Sequence, residues 1–245
     1  MRNVLIIFII CSFYTWGQCA LTRAVAQQDN RILLLHAIID GASLDAVRAL
    51  IQQIEFIDQP YSVEKLAGAT PLMLAVSCAR ADLGPGLLEI LISEKGADLG
   101  ARDIHGCTAL HYAFMYCHSE CLYRTRELVA ILLNHGASLE AVNNRGQTAL
   151  HMAVSKIDDD LIDLMLNHEN VQAYIERIIN IQDENGRTPL HYAAYAYKRA
   201  VQERLPFLVH KNEVDMRSLR NKGALDTLPD RDGMTVSMIL SYISF

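Results

Sequence analysis

Three histidines, His111, His151 and His191, occupy the same place in three near-copies of one octapeptide. Imidazole is a zinc ligand, but zinc holds its nitrogens at about 2.0–2.1 Å. Side chains set a whole repeat apart cannot converge on one ion. Cys117-His118-Ser119-Glu120-Cys121 is the one tight cluster of ligating residue types. Its cysteines, four apart, can meet a single ion if helical, but no second Cys or His pair stands at zinc-finger spacing. A redox- or metal-linked function would have to rest on Cys78, Cys107, Cys117 and Cys121. The run Asp158-Asp159-Asp160 with Asp163 invites calcium. The loop spacing and central glycine of a calcium hand are absent, however, and carboxylates at a helix start suit its positive end. No nucleophile elbow, phosphate loop or dinucleotide fingerprint occurs. No catalytic residue, cofactor or resident metal is expected, and the chain does not read as an enzyme.

What must position these residues is a repeat. The chain reads Gly68-Ala-Thr-Pro-Leu-Met-Leu-Ala, Gly106-Cys-Thr-Ala-Leu-His-Tyr-Ala, Gly146-Gln-Thr-Ala-Leu-His-Met-Ala and Gly186-Arg-Thr-Pro-Leu-His-Tyr-Ala, with a weaker copy from Gly233. The glycines Gly68, Gly106, Gly146, Gly186 and Gly233 are 38, 40, 40 and 47 residues apart. Self-similarity at this period means stacked helical units, each burying its apolar face against the next. Within a unit, glycine permits a tight turn. Thr108 is an N-cap, and Pro71 and Pro189 take the first helical position, where a missing N–H costs nothing. Leu128, Ile131 and Leu132 recur at helical spacing in a second, outer helix. Gly136 then terminates that helix.

Bulk composition agrees. Apolar residues make up 51% and charged residues 20% of 245, enough for a core. The net charge of −6 and the lack of any Lys/Arg run argue against nucleic acid, whose phosphates need a basic patch. Residues 1–20 stand apart. Arg2 precedes an apolar stretch from Val4 to Trp16 and a small-residue tail at Ala20. This is the pattern of a secretory signal peptide, too short for the ~20 residues of a bilayer span. Cleavage near Ala20 is expected, an uncleaved anchor being the alternative. No stable membrane span is expected after cleavage, and localisation would be periplasmic in a bacterium and secreted otherwise.

The Thr-Pro-Leu-His box, the Leu-Leu pair and the terminators Gly96-Ala-Asp-Leu99 and Gly136-Ala-Ser-Leu139 resemble the ankyrin repeat over about residues 30 to 245. The resemblance implies an all-α solenoid of about six helix-turn-helix units with hairpin loops, filling residues 21–245. It also implies that the box histidines bond hydroxyl and backbone groups between units. Such a module works by binding a protein on its concave face of inner helices and hairpin tips. Tyr112, Met152 and Tyr192 then share one inner-helix position, and Met115, Ser155 and Tyr195 another. Arg145 and Arg187 stand on the hairpins with Arg102, Asp103, Asn143, Asn144, Asp183 and Glu184. Aromatic, Met and Arg side chains are what binding hot spots use. The tyrosines serve equally as packing between helices. A monomer occupied by a protein partner is expected, in a protective, inhibitory or host-directed role.

The departures from family spacing lie at Cys78–Pro85, Cys117–Arg124, Val171–Arg177 and Asn212–Leu228, read as irregular insertions. If the cysteines oxidise, Cys78 and Cys117 end neighbouring parallel inner helices and are the expected pair, or Cys78 with Cys121 if the helix ends early. Cys107, ten residues before Cys117 and so about 15 Å along a helix, stays free. Leu110 lies between stacked units, so Leu110→Asp should be severely destabilising through an unpaired buried charge. Unchanged thermal stability of that variant would contradict the register.

Overall fold

In a computed structural model the chain is described at residues 33–34, 37–38, 42–60, 68–78, 84–115, 122–154 and 159–242. Inner and outer helices alternate. After helical residues at 33–34 and 37–38 comes the outer helix α1 (Leu44–Gln52). The next pair is α2 (Pro71–Cys78) with α3 (Gly84–Glu89), which runs on as a π-helical turn, Ile90–Glu94. Then follow α4 (Ala109–Met115) with α5 (Leu122–Asn134), and α6 (Ala149–Ala153) with α7 (Asp159–Asn167). Two one-turn helices, α8 (Glu169–Gln172) and α9 (Ile175–Ile178), precede the longest pair, α10 (Pro189–Gln202) and α11 (Pro206–Asn221). The half-unit α12 (Val236–Ser241) closes the described chain. Among the described residues there is no strand, only one bridge from Val142 to Thr148. This is the all-α repeat solenoid expected.

The outer helices α5 and α7 bury an i, i+1, i+4, i+5 stripe: Leu128, Val129, Leu132 and Leu133 on α5, and Leu161, Ile162, Met165 and Leu166 on α7. The same stripe on α11 is partly polar, with Lys211, Asn212, Asp215 and Met216 all buried. Lys211 is 2% exposed, donates to the Val154 carbonyl at 2.7 Å and pairs with Asp215 on its own helix. Leu110 is 1% exposed, between units as expected.

Two of the expected insertions are corrected. Residues 212–221 are not an excursion but the second half of α11. That helix ends at a terminator, Gly223-Ala224, of the same type as Gly136-Ala137. Ala137 N–H bonds the Leu132 carbonyl, and Ala224 N–H bonds the Leu219 carbonyl, at 2.9 and 3.1 Å. The segment 171–177 lies in α8 and α9, where Val171, Ile175 and Ile178 are buried. Val171, Ile175 and Ile178 draw the second stretch into the core, and Met216 and Leu219 do so in the first beside the buried Asn212 and Asp215. The segments after Cys78 and Cys117 fall largely outside the described residues.

The hairpins set the pitch of the stack. Asn144 N–H bonds the His105 carbonyl at 2.8 Å, Glu184 N–H the Arg145 carbonyl at 2.9 Å and Arg231 N–H the Asn185 carbonyl at 2.7 Å. Gly186 has φ +73°, and a Cβ on it would lie 2.9 Å from the Arg231 backbone nitrogen. Gly233 has φ +76° but nothing within 4 Å of a Cβ. Gly233→Ala therefore costs only left-handed strain, about 1–2 kcal/mol. Gly186→Ala costs that and a displaced neighbour, so its melting temperature should fall clearly further. Equal losses in a thermal melt would refute the close approach.

Candidate functional site

Four buried side chains organise the hairpins from inside. Asp103 Oδ1 accepts the N–H groups of His105 and Cys107, and Asn143 Oδ1 those of Arg145 and Gln147. Asp183 does the same for Asn185 and Arg187, and Asp230 for Asp232 and Met234. Such side chain-to-backbone turns are the ordinary use of Asx residues. They correct the placing of Asp103, Asn143 and Asp183 on exposed tips, for all three are buried.

The box histidines join these hairpins to the next unit. Thr108 N–H donates to His111 Nδ1 at 3.1 Å, and Thr108 Oγ1 lies 2.9 Å from the same nitrogen. The Nε2–H of His111 reaches the Gln147 carbonyl at 3.0 Å. His151 and His191 repeat the pattern on Thr148 and Thr188, reaching the carbonyls of Arg187 and Met234. An Nδ1 that accepts and an Nε2 that donates define the neutral ring. Burial pushes all three histidines down, His151 to about 4, against the opposing pull of the carbonyls they bond.

The proposed contact tyrosines are bound into the same network. Tyr112, 4% exposed, donates its hydroxyl to Asp103 Oδ2 at 2.9 Å. It is a packing residue, which corrects its expected place on the binding face: the carboxylate that turns the hairpin also draws the phenol inward. Tyr192, half-buried, donates to Asp183 Oδ2 at 2.7 Å and accepts from Gln147 Nε2 at 2.7 Å, linking two units. Burial and the Asp183 acceptor push its hydroxyl up to about 12. Tyr195 donates to Asp230 Oδ2 at 2.8 Å beneath the guanidinium of Arg187, 4.8 Å from its ring centre. Arg187 Nε lies 3.5 Å from that carboxylate. Where position 143 is Asn, the matching inner residue is Met152, half-buried. In the last unit Asp230 keeps the carboxylate while Ile239 stands at the tyrosine position, and the phenol comes instead from Tyr195 of the unit before.

What this leaves accessible is narrower. Met115 is 39% exposed, Arg145 is exposed, and Met152, Tyr192 and Tyr195 show ring or chain edges. Ile104, 65% exposed at a hairpin tip, is an apolar contact that the repeat pattern gave no reason to single out. Ser155, Cys117, Cys121 and Asp158 lie outside the described residues. Asp160 pairs with Arg126 at 2.7 Å, and α7 begins inside the acidic run. Cys107 is buried, and burial with the nearby Asp103 charge pushes its thiol up to about 11, away from thiolate chemistry. Among the described residues no group of three ligating side chains gathers, and no helix is long and apolar enough to cross a membrane.

A sequence profile described as ankyrin repeats matches in three overlapping copies, at residues 34–123, 78–176 and 122–218. Rabankyrin-5 from Mus musculus is 30% identical over 129 residues, 53% of this chain and 10% of that protein. The B-cell lymphoma 3 protein from Homo sapiens is 30% identical over 173 residues, 69% of this chain and 34% of that protein. The chain thus matches only a tenth to a third of these relatives' length. Among solved structures, a chain from the complex of the Bd0816 predatory endopeptidase from Bdellovibrio bacteriovorus with immunity protein Bd3460 is similar in fold. Its TM-score is 0.59 at 21% identity, covering 86% of this chain and 91% of that one.

The relay makes stability depend on acid. A histidine held neutral in the fold but titrating near 6.5 when unfolded stabilises fully above that value. The contribution falls as pH drops from about 6.5 towards the folded value, near 4 for His151, by up to about 1.4 kcal/mol per pH unit and ring. Urea midpoints should therefore fall between pH 7.5 and pH 5. A level profile over that window would contradict the buried neutral rings.

Proposed function

The chain belongs to the ankyrin-repeat family, and from that premise we propose that it is exported and works by holding a partner protein against its inner-helix and hairpin face. Ankyrin repeats imply a protein partner and generally act by binding rather than catalysis. The observation that carries the reading is the relay itself. Because hairpins, histidines and tyrosines are bonded across units, the face exists before the partner arrives, and little entropy is lost in ordering it. Met115, Arg145, Met152 and the edges of Tyr192 and Tyr195 supply apolar and cationic contacts on it.

The role is occlusion of an enzyme or toxin in the compartment to which the chain is exported. Support comes from the leading segment, with Arg2 before the apolar stretch Val4–Trp16. It comes also from the similar structure, in which an endopeptidase is found with an immunity protein. Export is tested by N-terminal sequencing. A mature chain starting near Leu21 is expected, and an intact Met1 on membrane-bound protein would contradict it. The face is tested by affinity for the protein that co-purifies from that compartment. Met115→Ala with Arg145→Ala should weaken binding by roughly tenfold or more at unchanged melting temperature. Tyr112→Ala should instead lower the melting temperature, through a loss of folding free energy of roughly 3–5 kcal/mol, as for an aromatic deletion. Wild-type affinity in the Met115/Arg145 pair would move the site off this face.

A further inference from the structure

The unit beginning at Gly186 has helices longer than its neighbours need. Its inner helix α10 runs 14 residues, whereas the adjoining inner helix α6 runs five. Lys211 marks where that neighbour ends, since its ammonium bonds the carbonyl of Val154, the residue after α6. Residues 202–207 lie beyond this contact and all are exposed. The α10–α11 turn therefore stands out from the solenoid, at the end of the inner helices away from the hairpins.

Its tip is apolar and cationic. Phe207 is 63% and Leu205 40% exposed, with Pro206 between them. Glu203 is occupied by Arg199 at 2.8 Å, so the tip's one carboxylate is balanced. Arg204 is exposed and has no side-chain partner among the described residues.

The backbone adds a second observation. The turn closes like the other helix ends, with Leu205 N–H on the Ala200 carbonyl at 2.9 Å. Outer helices α5 and α11 put glycine at the left-handed position of that motif, Gly136 at φ +90° and Gly223 at φ +96°. Here the residue is Arg204, at φ +54°. A left-handed conformation is strained for a non-glycine residue. Strain kept where glycine would remove it points to use of the side chain.

We propose that the α10–α11 turn is a second docking element, whose Leu205 and Phe207 enter an apolar cleft of a partner protein while Arg204 meets carboxylates at the cleft's rim. Aromatic and arginine side chains are the common anchors of such contacts. A lipid surface fits less well, because the chain's net charge of −6 opposes anionic membranes. The element rests on the protein-binding reading only in requiring a protein; its surface is separate from the hairpin face.

The test is photocrosslinking in the native cells, with the full chain carrying p-benzoylphenylalanine at Phe207, at Phe56 or at Met115. Phe56, 60% exposed beyond α1, is the control for exposure alone. The expected result is one discrete protein adduct at Phe207 that is absent at Phe56, with the crosslinked partner peptide apolar and bordered by Asp or Glu. Leu205→Ser should cut its yield about tenfold. Arg204→Gly should cut the yield while the melting temperature stays level or rises, which a merely structural role for Arg204 would not produce. Adducts at Met115 but none at Phe207 would overturn the docking turn and leave the hairpin face standing; the reverse would do the opposite. Adducts only to a second copy of the chain, equal adducts at Phe56, or Phe207-dependent sedimentation with phosphatidylglycerol vesicles would each overturn the proposal.

Discussion

The structure depends on the requirement that polar groups buried between units find partners in the next unit. Helices at this packing distance exclude water from the hairpin bases, and an unpaired buried N–H or carbonyl costs about 1–3 kcal/mol. Threonine, histidine and the hairpin carbonyl form one answer, repeated at His111, His151 and His191. Each carbonyl involved also accepts a hairpin N–H, as Gln147 does from Asn143 at 2.9 Å. Shape follows from this. A unit slipped by one residue would lose every one of these bonds together, so the relay fixes register, and register fixes the face.

The same constraint governs which side chains are available for binding. A tyrosine whose hydroxyl satisfies a hairpin carboxylate is committed first to the stack. Tyr112 is wholly committed, while Tyr192 and Tyr195 are shared between the stack and the surface. Binding specificity is thus left to residues that the relay does not use, chiefly Met115, Arg145 and the hairpin tips. A face of this kind can change its contacts without changing its fold, because the two jobs fall on different atoms.

Much of this was legible in the sequence. The helix pairs, the threonine caps and the burial of Leu110 follow from spacing and residue type alone. Three features are not legible there. Asp103, Asn143, Asp183 and Asp230 each stand three residues before a hairpin glycine, a recurring signal for a buried turn-forming side chain, although polar residues beside a turn suggest an exposed tip. Gly223-Ala224 repeats the Gly136-Ala137 terminator. It is hidden by the helix before it, which buries Lys211, Asn212 and Asp215, whereas the buried stripe of α5 is Leu128, Val129, Leu132 and Leu133. Polar residues on a core stripe read as a loop until their partners are seen. The commitment of Tyr112 was hidden for a similar reason, since nothing in a repeat alignment distinguishes a phenol turned to Asp103 from one turned to solvent.

The relay is not evenly spread, and this bears on where the molecule is firm. In the unit at Gly68 the histidine position holds Met73, fully buried. Its sulfur meets the Thr70 N–H at 3.4 Å but offers no donor to the unit beyond. Among the described residues that boundary has apolar contact and the Asp98 N–H on Asp58 Oδ1 at 2.8 Å, whereas the boundaries from His111 onward add the histidine bond. In a stack whose stability is a sum of neighbour terms, the directed bonds sharpen geometry more than they add energy. The units from Gly106 to Gly233 are therefore the ones with the best-defined spacing. They are also the units that carry Met115, Arg145, Tyr192, Tyr195 and the turn at Arg204. A partner reading several units at once needs their distances fixed, and the relay supplies this along the part of the chain where the accessible contacts lie.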